Sequence, residues 1–166
     1  MAQAVSDMHL LGAIVTTLRA DTGADGLKVL TGYTSDRDFR IGRHLPNNKE
    51  KQRYLGVWLF RSVPKIEGGY VGHLQKTRVR FYCSAKTKSS GELTANKIAD
   101  RLDNLLVPEQ EVANSPNRSY LDFSDSNISC KSTTRKSRVG SRYDEDNDLW
   151  TLWVDAEVIW VNKPCP

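Results

Sequence analysis

The sequence predicts an α+β domain in which two amphipathic helices pack on a mainly antiparallel sheet. Three observations carry that expectation. Two segments repeat apolar residues at helical spacing, others alternate between apolar and polar residues, and Gly- and Pro-bearing turns separate them. The order is helix, strands, helix, strands, which suits two packed layers around one core. The 166 residues fit a single domain, expected to span 1–166.

The first helix is expected to begin at Ser6 as N-cap, with Asp7 in the first turn facing the positive end of the helix dipole. Val5, Met8, Leu11, Ile14, Val15 and Leu18 form its buried face. The stretch "ADTGADG" stops it. A short extended piece follows around 27–30, then a polar connector at 34–52 with the turn signal "PNN". In "RYLGVWLFRSV" apolar residues occupy both parities, with Tyr54, Trp58 and Phe60 opposed to Leu55, Val57, Leu59 and Val63. A strand covered on both faces reads this way. "QKTRVRFYCSA" alternates cleanly: Val79, Phe81, Cys83 and Ala85 inward, Lys76, Arg78, Arg80, Tyr82 and Ser84 outward.

Ser89 and Glu92 have the spacing of a capping box at the start of the second helix. Leu93, Ile98, Ala99, Leu102, Leu105 and Leu106 make its apolar face, and Pro108 sits just past its end. Residues 108–148 read as a long polar and charged loop region, with weak strand candidates at 120–123 and 127–133. The last strand places Trp150, Leu152, Val154, Ala156, Val158 and Trp160 on one parity as core. Asp155 and Glu157 are expected on the other face, near solvent or a neighbour.

Catalytic chemistry finds little support. His9, His44 and His73 are scattered, with no metal-ligand pair at helical spacing. "SVPK" has the Ser-x-x-Lys spacing of some acyl-transfer enzymes, but it straddles a strand end and a proline instead of opening a helix. "GGYVG" is too short for a phosphate loop and reads as a turn. The acidic run "DEDND" lacks the Gly and terminal Glu of a calcium loop. No catalytic, cofactor or metal residue is therefore expected. Cys83, Cys130 and Cys165 are odd in number and widely spaced, which suggests neither a disulfide framework nor a zinc site. With no signal peptide or membrane-length apolar run, a reducing interior is expected.

Charge is the remaining signal. The net charge of +4 arises from 24 basic and 20 acidic residues, a balance that permits nucleic-acid contact without implying it. Lys76, Arg78 and Arg80 line the outer face of one strand. Lys131, Arg135, Lys136, Arg138 and Arg142 form a basic run, followed at once by Asp144, Glu145, Asp146 and Asp148. A solvated mobile loop, a DNA-facing loop and a subunit or tube interface are the three readings of that switch in sign.

The layout resembles the tail terminator, or tail completion, proteins of long-tailed bacteriophages. The parts that carry the resemblance are "MHLLGAIVTTLRAD", "YLGVWLFRS", the close succession of "KTRVRFYCSA" and "SSGELTANKIADRLDNLL", and the final "DLWTLWVDAEVIWV". It covers roughly 8–161 and includes no catalytic motif. The resemblance implies a non-enzymatic virion protein of the tail or neck, assembled in the host cytoplasm. Its partners would be itself, in a homohexameric ring, the tail tube protein and the head-tail connector. Genome DNA would pass through the lumen without sequence-specific binding, and no membrane is involved. The alternatives are another neck or connector component, or a basic nucleic-acid-binding domain.

Overall fold

The computed structural model describes residues 2–34, 40–43, 53–60, 63–64, 74–114 and 120–163. Among them are helices α1 (Ala2–Arg19), α2 (Leu27–Thr31), α3 (Gly91–Leu105) and α4 (Glu109–Asn114). The strands are β1 (Ile41–Arg43), β2 (Arg53–Leu59), β3 (Val63–Pro64), β4 (Gln75–Lys86), β5 (Val107–Pro108), β6 (Ile128–Asp144) and β7 (Leu149–Asn162). They form one sheet in the order β1-β2-β4-β7-β6-β5, with β3 also on β4. The pairs β1–β2 and β5–β6 are parallel and the rest antiparallel, so the α+β, mainly antiparallel expectation holds.

One hydrophobic cluster joins α1, α2 and α3 to a single parity of β2, β4 and β7. Leu55, Val57, Val79, Phe81, Cys83, Leu152, Val154, Ala156, Val158 and Trp160 are all fully buried there. The alternation read in β4 and β7 thus reports a real two-sided sheet, with α1–α3 packed on one side. In β2 the expectation of two covered faces holds only in its first half. Tyr54, Leu55, Gly56 and Val57 are buried, whereas Trp58 and, just beyond the strand, Phe60 are exposed.

Several local expectations are corrected. The backbone is already helical at Ala2, so Ser6 lies inside α1 and does not cap it; nothing in the preceding "AQAV" breaks a helix. Met8, expected in the core, is half exposed, and Leu10 and Ala13 share the buried face instead. The piece at 27–30 is the short helix α2, not extended chain. Its first N–H, from Leu27, is accepted by the Asp21 carboxylate at 2.8 Å, and Gly32 closes it at φ 71°. Neither determinant appears in the residues of α2 itself.

The capping box also fails. Chain leaving β4 turns through Thr87 at φ 81°. The helix then starts at Gly91, where a Cβ would come within 2.7 Å of the Ala85 carbonyl, so only glycine lets α3 abut the strand end. Ser90 becomes the N-cap without a side-chain cap bond, and its hydroxyl pairs with Thr87 at 2.7 Å. Leu93, placed on the apolar face by periodicity, is exposed.

The largest departure lies in the region expected as loop: the weak candidate at 127–133 continues through 134–144 as the 17-residue strand β6, while 120–123 forms no strand. Register shifts at Cys130/Ser132, Arg135/Ser137 and Val139/Arg142 insert extra residues against β7. Each bulge flips the parity, which erases the period-2 pattern from the sequence. His44, His73, Cys165, the Ser62–Lys65 spacing, the glycines of 68–72 and the "PNN" turn lie outside the described residues.

Asp21 ties three elements together. Besides Leu27, its carboxylate accepts two N–H bonds from Arg101 of α3, at 2.9 and 2.6 Å. The Arg101 guanidinium holds the Asp21 carboxyl below its ordinary range, outweighing its partial burial. A depressed folded pKa contributes stability that is complete above the unfolded value of about 4 and disappears as pH falls through the folded one. Asp21→Asn is expected to cost about 2 kcal/mol at pH 7 and to flatten the loss of stability below about pH 4. Urea midpoints measured from pH 2 to 7 check this; an unchanged acid slope refutes it.

Candidate interaction surfaces

The basic run of β6 is built into the fold. Bulges turn its cations towards the helices, where α3 and α4 present acids. Arg138 donates to Asp100 at 2.6 Å, Asp103 at 2.7 Å and Asn96 at 2.9 Å. Burial disfavours the Arg138 charge, but Asp100 and Asp103 outweigh it and its pKa moves up. Arg135 Nε lies 3.3 Å from Asp103 Oδ1, an ion pair whose angle does not make a hydrogen bond. Lys136 pairs with Glu109. Lys131, at the first bulge, is exposed, and Arg142 stays close to the acidic turn beside Asp144.

The basic face of β4 is likewise paired, across the ladder to β7. Arg80 donates to both oxygens of Asp155, at 2.8 and 2.9 Å, and Arg78 adds a third bond at 3.1 Å. Lys76 lies 3.3 Å from Glu157. Asp155 is 1% exposed, so the expectation that it stays near solvent is corrected. Burial pushes its carboxyl up, the two guanidinium groups pull it down further, and the net shift is downward. The Arg80 guanidinium also lies 5.4 Å from the Phe60 ring centroid and 5.0 Å from that of Trp153, within cation–π range of both.

Register makes a surface of these residues. Trp58, Arg80, Asp155 and Ser137 form one row across β2, β4, β7 and β6, and Gly56, Tyr82, Trp153 and Val139 form the next. No described helix packs on this parity, although Ser84, expected outward, is buried and lies 3.2 Å from the Thr151 hydroxyl. Trp58, Phe60 and Val139 expose apolar surface, and the buried indole N–H of Trp153 has no acceptor. Unsatisfied donors of this kind are uncommon.

The acidic turn 144–148 is ordered. Asp144 accepts the N–H groups of Asp146 and Asn147 and the Asn147 amide at 2.7 Å, an Asx turn. Tyr143 donates to Asp148 at 2.5 Å, which raises the phenol to about 12. Glu145 and Asp146 are exposed, and neither forms an ion pair among the described residues. No described group of His, Cys, Asp and Glu could hold a metal ion, and no described helix is long and apolar enough to cross a membrane.

The expected site residues therefore separate. Arg135, Lys136 and Arg138 join the helices, Lys76, Arg78 and Arg80 join β7, and Asp144–Asp148 stand at the hairpin tip. Sequence reasoning missed Asn96, Asp100 and Asp103 as partners of Arg138. Their spacing along one helical face, opposite Ile98 and Leu102, was the available signal.

No family model and no curated protein matches the chain. Among solved structures, a chain of the virion of a native gene transfer agent (GTA) particle is similar in fold. The TM-score is 0.58 at 15% identity, over 93% of this chain and 95% of that one.

Proposed function

We propose that this protein is a non-enzymatic structural component of a phage-like virion, and specifically a tail terminator. In this reading several copies close into a ring on the head-proximal end of the tail tube. The ring stops tube polymerisation and offers a docking surface to the head-tail connector. The observation that carries the reading is the fold shared with a gene transfer agent virion chain over nearly the full length of both. The residues add to it. Asp155, 1% exposed, is taken up by Arg78 and Arg80 within the sheet and is not free to act as a base.

A nucleic-acid-binding domain is disfavoured by the same pairing. A duplex-binding surface gains from cations that neutralise phosphate, and six of the eight expected cations already face acids of their own chain. DNA in the lumen is then a passing cargo.

Electron microscopy of tails assembled with the gene disrupted tests the proposal. Overlong, headless tails are the expected result. Tails of normal length that fail to join heads would move the protein to the connector side of the neck, and fully normal particles would overturn the structural reading.

A further inference from the structure

The two ends of the β4–β7 ladder carry opposite charge. At one end are Lys76 and Arg78, about half exposed even with their partners in place. At the other is the ordered turn with Glu145 and Asp146. Lys76 pairs with Ile159 and Lys86 with Leu149, so ten residues of strand, about 33 Å, separate the two patches. One copy cannot bring them together.

We infer that the acidic turn of one copy docks on the exposed Lys76/Arg78 end of the outer sheet face of a second copy. The inference rests on the ring reading and names the contact that would close it. A cyclic assembly needs heterologous interfaces, in which one patch meets a different patch on the next subunit. The β6 cations Arg135, Lys136 and Arg138 are unsuited to that role, because α3 and α4 hold them. The β4 end is suited: among the described residues, three cations face two acids there, Asp155 and Glu157. Exposed Trp58 and Phe60 lie beside these cations and supply the apolar, aromatic ground that interface centres favour. On the donor side, an open cleft of about 560 Å³ lies between the turn and Trp153.

A charge exchange tests this. E145K/D146K alters only exposed turn side chains, and K76E/R78Q leaves the Arg80–Asp155 pair intact. Each variant alone is expected to self-associate about tenfold more weakly than the wild type by sedimentation. An equimolar mixture should recover association, because alternating copies then present complementary patches at every contact. Wild-type association should also weaken with added salt. Thermal melts of each variant separate a lost contact from a lost fold. Should one fail to fold, the other still reads the same contact. Association unchanged by either substitution overturns this contact and leaves the ring standing. A wild type that stays monomeric to its solubility limit overturns the contact, and only normal tails without the gene overturn the terminator reading.

Discussion

Replacing Asp155 with Ala is expected to destabilise the protein by about 3–5 kcal/mol, as removal of one partner from a buried ion pair does. The reason lies in what remains. Asp155 accepts three arginine N–H bonds while almost wholly buried, so its loss strands Arg80 between Phe60 and Trp153 without a counter-ion. Arg78 is largely exposed and can turn to water; Arg80 has less freedom. Asp155→Ala should therefore cost more than Arg78→Ala, and a double change with Arg80→Leu should recover part of the loss. Urea unfolding of the set at pH 7 checks the order. A cost below about 1 kcal/mol for Asp155→Ala would show that the pair behaves as a surface salt bridge. The pH sign follows from the downward shift of Asp155: its contribution is complete above about pH 4 and is lost on acidification through the folded pKa.

Trp160→Ala should cost a similar amount, about 3–5 kcal/mol, through transfer and cavity terms. Trp160 is fully buried near the end of β7, and its indole N–H donates to the equally buried Thr77 hydroxyl at 2.8 Å. Trp160→Phe separates the two contributions. It keeps most of the apolar volume but leaves Thr77 without that donor, for an expected loss of about 1–2 kcal/mol. Met8→Ala, at a half-exposed position of α1, should stay within about 0.5 kcal/mol as a control. Calorimetric melting of the three variants gives the comparison. Equal losses for Trp160→Ala and Met8→Ala would place Trp160 outside the core.

Much of the fold was legible because regular periodicity survives in the sequence. β4 from Val79 to Ala85 and β7 from Trp150 to Trp160 each keep one apolar parity against the helices, so alternation alone identified Val79, Phe81, Cys83, Leu152, Val154 and Val158 as core. The face of α3 was readable at Ile98, Ala99 and Leu102 for the same reason. β6 was not. Its three bulges break the parity, and its inward position opposite Val158 is Thr133 in place of an aliphatic residue.

The site divides along the same line. Sequence by itself determined which charges exist and that they are segregated: a basic strand face, a basic run and an acidic turn. Only tertiary structure decided which are already neutralised, because ion pairing depends on distances between residues far apart in the chain. Arg80 meets Asp155 across 75 positions and Arg138 meets Asp100 across 38, contacts fixed by strand register and helix packing. Charge carries no sequence signature of its partner, whereas burial leaves one in the spacing of apolar residues. The core could therefore be read in advance, and the pairing of the surface charges could not.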